Sequence, residues 1–110
     1  MKKLVFISSP LRGDIEGNIK KANEYCKAAV DEGVIPLAPH AIFTQYLDDR
    51  VKEQRERGMS LGFELLEYCT ELWVCGPVIS VGMQEEIRLA QEKGIKVIYK
   101  TEAHYSGKAS

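Results

Sequence analysis

The sequence predicts an α/β fold in which helices cover both faces of a parallel sheet of about four strands. Short apolar runs alternate along the chain with longer segments of helical period, which is the pattern of β-α-β units. A helix that joins two neighbouring parallel strands makes a right-handed crossover. These observations predict a three-layer sandwich of the Rossmann-like or flavodoxin-like type, with the strand order 2-1-3-4.

Each predicted element in the first half of the chain has a local cause. Residues 4–8 are apolar, as in a buried strand, and residues 18–31 place apolar side chains on one helix face before a stop at Gly33. A short strand at 34–37 and an aromatic-bearing connection at 40–47 follow. The predicted inward face of the helix carries Ile19, Ala22, Cys26, Ala29 and Val30.

The second half repeats the alternation. A helix opens at the acidic residues 48–49, continues through a charged run that we interpret as a solvated face with a dimer contact as the alternative, and then becomes apolar. Residues 71–75 form the third strand, residues 83–93 the last helix and residues 95–99 the fourth strand. The predicted inward face of the longer helix carries Leu61, Leu65, Leu66 and Cys69.

The composition limits the classes of protein to which this chain can belong. With 110 residues, 45% of them hydrophobic and 28% charged, the chain has material for one modest core, so we expect a single domain at 1–100 and a tail at 101–110. A net charge of -1 provides no global field for nucleic acid. The first apolar run is too short for a signal peptide and no run approaches membrane-spanning length, so we expect a cytoplasmic protein without a nucleic-acid or membrane partner.

The three cysteines are widely spaced. Cys26, Cys69 and Cys75 form no Cys-x-x-Cys pair, and the only histidines are His40 and His104. Each cysteine lies in or beside an apolar segment, which favours free buried thiols over a disulfide or a metal site. We therefore expect no structural metal and no cofactor.

Polar loops follow the first and third strands. Because ligands of such sheets bind beyond the carboxyl ends of the strands, residues 8–14 and 76–82 are expected to meet there. The first loop offers hydroxyls, a flexible glycine and a guanidinium that can bind phosphate, although a solvated arginine in an ordinary turn is the alternative. The second loop ends where a helix begins, and helix N-termini favour anions. The candidate residues are Ser8, Ser9, Arg12, Gly13, Ser80 and Gly82.

Helix geometry distinguishes two neighbouring glutamates. At about 100° per residue, Met83, Ile87 and Ala90 define an apolar arc that includes Glu86, whereas Glu85 falls beside Arg88. A carboxylate that points toward a crevice is costly unless it is hydrogen-bonded or used. Glu86 is therefore the candidate functional acid, with a partly solvated charge at a helix start as the alternative.

Two segments resemble a known family. Residues 6–13, FISSPLRG, and residues 80–90, SVGMQEEIRLA, resemble the two signature loops of the nucleoside 2-deoxyribosyltransferase superfamily. Their spacing is nearest to the branch of 2'-deoxynucleoside 5'-phosphate N-hydrolases and to a small uncharacterised branch of bacteria and phages. The likeness runs from the first strand to Tyr99. It implies the α/β fold and chemistry at an N-glycosidic bond.

The resemblance also implies residue roles. In the enzymes that the chain resembles, a glutamate six residues after a Ser or Asp attacks the anomeric carbon, and Glu86 stands in that relation to Ser80. Arg12, Ser80 and Gly82 match residues that hold a 5'-phosphate. His40 resembles a histidine near the site, with a hydrogen-bonded loop histidine as the alternative. These enzymes associate into homodimers or larger homo-oligomers, and we expect the same here.

One position departs from the family pattern. The supporting aspartate of the resembling enzymes would fall near Gly62, which has no carboxylate. Glu64 is the nearest acid and is a second catalytic candidate, although its direction on an ideal helix differs from that of Gly62 by about 200°. Two functions therefore stay open: an N-glycosidase or deoxyribosyltransferase acting on a nucleoside or nucleotide, and a non-catalytic protein that binds or sequesters one.

Overall fold

A computed structural model describes residues 1–100, and the predicted tail at 101–110 lies outside the described residues. The described part of the chain alternates strands and helices, with one additional short helix before the long central one. In chain order the elements are β1 (Leu4–Ser8), α1 (Ile15–Asp31), β2 (Ile35–Leu37), α2 (Pro39–Phe43), α3 (Lys52–Leu66), β3 (Glu71–Cys75), α4 (Val81–Glu92) and β4 (Lys96–Lys100).

The four strands form one parallel sheet in the order β2-β1-β3-β4, which confirms the predicted fold class and strand order. Strands β1 and β3 lie in the centre, with Ile7 opposite Trp73 and Ser8 opposite Val74. Pro36 lies in β2, at the edge of the sheet, where a residue without a backbone N–H is tolerated. The carboxyl ends of the two central strands are thereby brought side by side.

Side chains of the central strands alternate between two apolar clusters, one on each face of the sheet. The cluster beneath α1 and α2 contains Val5, Ile7, Trp73 and Cys75 from the sheet and Ala22, Tyr25, Ala29, Ala38 and Ala41 from the helical side. The cluster beneath α3 and α4 contains Phe6, Leu72 and Val74 from the sheet. Its other members come from these two helices and the segment after α3: Leu66, Cys69, Met83, Ile87 and Ala90. The two clusters make the molecule a three-layer sandwich, as predicted.

Two helices begin earlier than the sequence periodicity predicts. Helix α1 begins at Ile15 and not at residue 18, because the Asp14 side chain caps it by accepting the Gly17 N–H at 3.1 Å. Helix α4 begins at Val81 and not at residue 83, because Ser80 caps it. Capping by a polar side chain starts a helix before its apolar face becomes visible in the sequence.

The segment between β2 and α3 differs more from prediction. Residues 39–43 form α2, where a connection is expected, and α3 begins at Lys52, not at residues 48–49. Asp48 accepts the Arg50 N–H at 2.9 Å, so this aspartate closes a turn and does not cap a helix. Strands β2 and β4 each begin one residue later than predicted.

Two predicted core positions are wrong. Val30 is 55% exposed, because the inward face of α1 is set by Ala22, Tyr25 and Ala29, which recur at helical spacing. Leu61 is 37% exposed, because the inward face of α3 passes through Gly62 and Leu66. No helix among residues 1–100 is long and apolar enough to cross a membrane.

Gly76, directly after β3, stands where a side chain would be strained and crowded. Its φ is +101°, in the region that favours glycine. A Cβ there would lie 3.2 Å from the Tyr25 hydroxyl and 3.3 Å from Pro10 Cδ. Gly33 also has a positive φ, of +90°, but a Cβ there would meet no atom within 4 Å.

We expect Gly76→Ala to destabilise the protein more than Gly33→Ala. Both variants incur the cost of a left-handed backbone, roughly 1 to 2 kcal/mol, and only Gly76→Ala adds crowding against α1, worth roughly a further 1 to 3 kcal/mol. Urea denaturation of the two variants and the wild type measures the difference. Equal losses in the free energy of unfolding would contradict the close packing around Gly76.

Candidate functional site

A cavity of about 530 Å³ opens at the carboxyl ends of the central strands. The loop after β1, the start of α2, the segment before α3, one face of α3 and the first turns of α4 line it. This volume lies within the range of small-molecule sites. The loops after β1 and β3 therefore meet around one space, as the parallel topology predicts.

Glu86 lies on the cavity side of α4. Its Oε1 accepts a hydrogen bond of 2.6 Å from the hydroxyl of Ser8, which is fully buried at the end of β1. Burial raises the pKa of Glu86 to about 7, and the Ser8 hydrogen bond acts against that rise because it favours the ionised form. The site thus contains a positioned carboxyl group that titrates near neutral pH.

The neighbouring glutamate points elsewhere. Glu85 accepts a hydrogen bond of 2.9 Å from Arg88 on the exposed side of α4, and Arg88 also pairs with Glu92 at 2.6 Å. Such exposed pairs contribute little to stability. The structure therefore places the two glutamates as the helical arc predicts, with Glu86 toward the cavity and Glu85 in the solvated network.

Ser9 and His40 form a second polar pair in the cavity wall. The Ser9 hydroxyl and His40 Nε2 are 2.9 Å apart, and Ser9 is buried. Burial lowers the pKa of His40 to about 4, so the imidazole is neutral at pH 7 and carries one donor and one acceptor nitrogen. This pair provides hydrogen bonds to a ligand without adding charge.

The candidate anion-binding residues also line the cavity. Arg12 and Gly13 come from the loop after β1, and Ser80 and Gly82 come from the start of α4. The Ser80 hydroxyl oxygen accepts the Met83 N–H at 3.3 Å, so it caps the helix and keeps its own proton for another acceptor. First-turn amides have no partner within their helix, which makes this end of the cavity suitable for an anion.

Two predicted site residues lie outside the cavity. Ser8 does not line it, because the side chain is buried and its hydroxyl is directed at Glu86, so this serine positions the glutamate. Glu64 is exposed and does not line it either. Gly62 faces the cavity, and a residue two positions later on a helix points to the opposite side. The structure therefore does not bring Glu64 to the cavity.

Sequence reasoning placed only the part of α3 around Gly62 and Glu64 at the site and missed the rest of this helix face. Arg55, Gly58, Met59, Gly62 and Phe63 line the cavity. Their spacing of three, four, seven and eight residues from the first is that of one helix face, and this spacing was the signal available in the sequence. This helix face is hard to recognise in the sequence because Arg55 lies within a run of charged residues.

Asp49, in the segment before α3, is the second cavity residue that the sequence did not reveal. Its Oδ2 atom is buried and accepts no hydrogen bond from any of residues 1–100. Burial raises the pKa of Asp49, while the charges of Arg12 and Arg55 act against the rise. An irregular segment has no period from which this placement could be read.

We expect Glu86→Gln to stabilise the protein at alkaline pH and to have little effect at pH 4. The folded protein holds the Glu86 proton more tightly than the unfolded chain does, so this group lowers the free energy of unfolding as pH rises from about 4.5 to about 7. Glutamine keeps the oxygen that accepts from Ser8 and does not ionise.

The gain of the variant over the wild type should grow by roughly 1 to 3 kcal/mol across that interval. Urea denaturation between pH 4 and pH 8 measures it, with Glu85→Gln as the exposed control. A difference that stays constant with pH would contradict the burial of Glu86.

Comparisons with known proteins agree with the observed fold. None of the curated proteins matches the chain. A solved structure of a 2-deoxyribosyltransferase from the psychrotolerant bacterium Bacillus psychrosaccharolyticus is similar to it, with a TM-score of 0.66, 15% sequence identity, and coverage of 90% of this chain and 72% of that one. A family model matches residues 3–100. The chain belongs to the family described as Domain of unknown function (DUF7768).

Proposed function

We propose that the protein cleaves the N-glycosidic bond of a deoxynucleoside or its 5'-monophosphate, with Glu86 as the nucleophile, and passes the sugar to water or to another base. One observation carries the proposal: the Glu86 carboxyl is held by Ser8 at 2.6 Å, on the wall of a cavity that also contains Arg12 and the start of α4. The fold shared with a protein named as a 2-deoxyribosyltransferase supports it.

The reaction has two steps. A Glu86 carboxylate oxygen attacks the anomeric carbon, the carbon–nitrogen bond breaks, and its electron pair leaves with the base, which takes up a proton. Water or a second base then attacks the same carbon and loses a proton to solvent, and Glu86 departs as a carboxylate. The charge that develops on the sugar lies next to a negative side chain in both steps.

The environment of Glu86 suits this role. With a pKa of about 7, the side chain is substantially ionised at neutral pH and yet not strongly stabilised as an anion. The Ser8 hydroxyl, buried and with its partner at 2.6 Å, fixes the direction of the carboxyl group. A nucleophile needs this combination of orientation and moderate basicity.

The anion-binding end of the cavity offers donors that would bind a 5'-phosphate. Arg12 offers a planar pair of donors, and the first turn of α4, with Ser80 and Gly82, offers amides and a hydroxyl proton. Glu86 follows in the next turn of the same helix, about 6 Å along its axis from Gly82. Sugar and phosphate would thus be held by neighbouring turns of one helix.

A second function, binding without turnover, is favoured by one observation. Gly62 lines the cavity at the position where the resembling enzymes carry an acid, and Glu64 is directed away from it. A protein with this wall would hold a nucleotide but protonate a departing base poorly. Base release from a panel of nucleotides, measured together with ligand-induced thermal shifts, separates catalysis from binding alone.

We expect Glu86→Ala to lower base release by about 10³-fold or more, because the variant loses the attacking group. Glu85→Ala is the matched control on the next residue of the helix, and it should leave the rate within about twofold because it removes only an exposed ion pair. Chromatographic detection of free base from 2'-deoxynucleoside 5'-monophosphates measures both. Similar losses from the two variants would refute the nucleophile assignment.

We expect Gly62→Asp to speed base release, by up to about 10² to 10⁴-fold, because it adds a proton donor to the cavity wall. A Cβ at this position would lie 3.5 Å from Pro39 Cβ, an ordinary contact. Gly62→Asn matches the aspartate in size but supplies no acidic proton. An equal effect of the two substitutions on the rate would contradict the proton-donor explanation.

A further inference from the structure

The proposed reaction leaves Asp49 unused. This residue lines the same cavity as Glu86, and its buried Oδ2 accepts no hydrogen bond from residues 1–100. A buried carboxylate oxygen without a donor is uncommon and costs stability. Asp49 thus brings to the cavity a carboxyl group with an acceptor that no described residue uses.

The residues of α3 that line the cavity form one side of it, which we call the α3 wall. This wall places Asp49 away from Glu86. From Arg55 to Phe63 the wall runs about 12 Å along the helix axis. Arg55 Nη1 donates to the Asp49 carbonyl oxygen at 3.3 Å, so Asp49 lies at the N-terminal end of this wall. The C-terminal end of α3 meets α4 instead, since Leu66 packs in the same cluster as α4 residues that flank Glu86.

The space between these two ends is suited to a flat ring. Gly58 and Gly62 add no side chain to this part of the wall, where a Cβ would already meet Leu47 at 3.7 Å and Pro39 at 3.5 Å, and Met59 and Phe63 offer apolar contact beside them. A ligand whose anomeric carbon lies at Glu86 would extend along this surface toward Asp49. The outer edge of a nucleobase and the hydroxyls of a sugar both carry donors at such distances.

We propose that Asp49 is a specificity residue whose carboxylate accepts a hydrogen bond from an amino or hydroxyl group of the ligand, so that ligands with that donor bind preferentially. The inference rests on the proposed function, because it takes the ligand to be a nucleoside or nucleotide.

The charges around Asp49 agree with an acceptor role. Arg12 and Arg55 favour its ionised form, and an ionised carboxylate only accepts hydrogen bonds. It would repel a phosphate, which leaves a neutral donor as its partner. Rotation about the broad χ2 of an aspartate exchanges the two oxygens and presents either one to the cavity.

The test compares ligands that differ by a single donor. Calorimetry measures the dissociation constants of dGMP and dIMP, which differ in one amino group, and of dGMP and its 2',3'-dideoxy analogue, which differ in one hydroxyl. The proteins carry Glu86→Gln, so that no base is released during the titration. They are compared with and without Asp49→Asn, and Asp48→Asn is the control on the adjacent exposed aspartate.

We expect Asp49→Asn to weaken the binding of the ligand that carries the donor by about three- to tenfold, because an amide oxygen accepts a weaker hydrogen bond than a carboxylate does, and to leave the binding of the ligand without it unchanged. If the variant no longer distinguishes dGMP from dIMP, the donor is the amino group of the base. If it no longer distinguishes dGMP from its dideoxy analogue, the donor is the hydroxyl of the sugar. Asp48→Asn should preserve both selectivities.

Two results would overturn the inference while leaving the proposed function standing. These are equal effects of Asp49→Asn on every ligand in both pairs, and the absence of selectivity in both pairs when Asp49 is present. If wild-type protein neither binds nor cleaves any of these nucleotides, the proposed function fails, and the inference fails with it.

Discussion

The hydrogen bond between Ser8 and Glu86 connects the fold to the candidate chemistry. Ser8 ends a central strand, and Glu86 lies in the second turn of the helix that follows the neighbouring strand. The parallel pairing of β1 and β3 helps to bring these two positions, 78 residues apart in sequence, to within 2.6 Å. The turn out of β3 is also constrained, since Gly76 has a positive φ and a Cβ there would crowd Tyr25 and Pro10.

This arrangement places titratable groups where their ionisation is costly. Burial moves the pKa of Glu86 up to about 7 and that of His40 down to about 4, and both shifts disfavour charge at the cavity. A stable fold gains nothing from a buried carboxyl of this kind, and an apolar residue there would cost less. Perturbed groups of this kind are concentrated at functional sites, which is why the cavity, and not the exposed ion pairs of α4, supports the proposed function.

The sequence predicted the features that follow from a regular period. Strands β1 and β3, the strand order and the inward direction of Glu86 all come from apolar spacing and from the rules of parallel sheets. Prediction from the sequence failed where side-chain hydrogen bonds or an irregular backbone determine the local structure. The caps at Asp14 and Ser80 started helices early, and α2 formed in a segment without helical period.

The residues of the candidate site also fall into those that a regular pattern predicts and those that it does not. The residues of the two loops could be predicted because the carboxyl ends of parallel strands converge. Most of the α3 wall was missed because Arg55 stands in a charged run, and Asp49 because its backbone is irregular. Glu64 is close to Gly62 along the chain, but a residue two positions away on a helix lies on the opposite face.

The most direct test is a crystal structure of the Glu86→Gln variant with a 2'-deoxynucleoside 5'-monophosphate. The account predicts that the ligand occupies the cavity, with its anomeric carbon about 3 to 3.5 Å from the side chain at position 86. Its phosphate should contact Arg12 and the first turn of α4. A nucleotide bound outside the cavity, or bound inside it with the anomeric carbon turned away from position 86, would contradict the account.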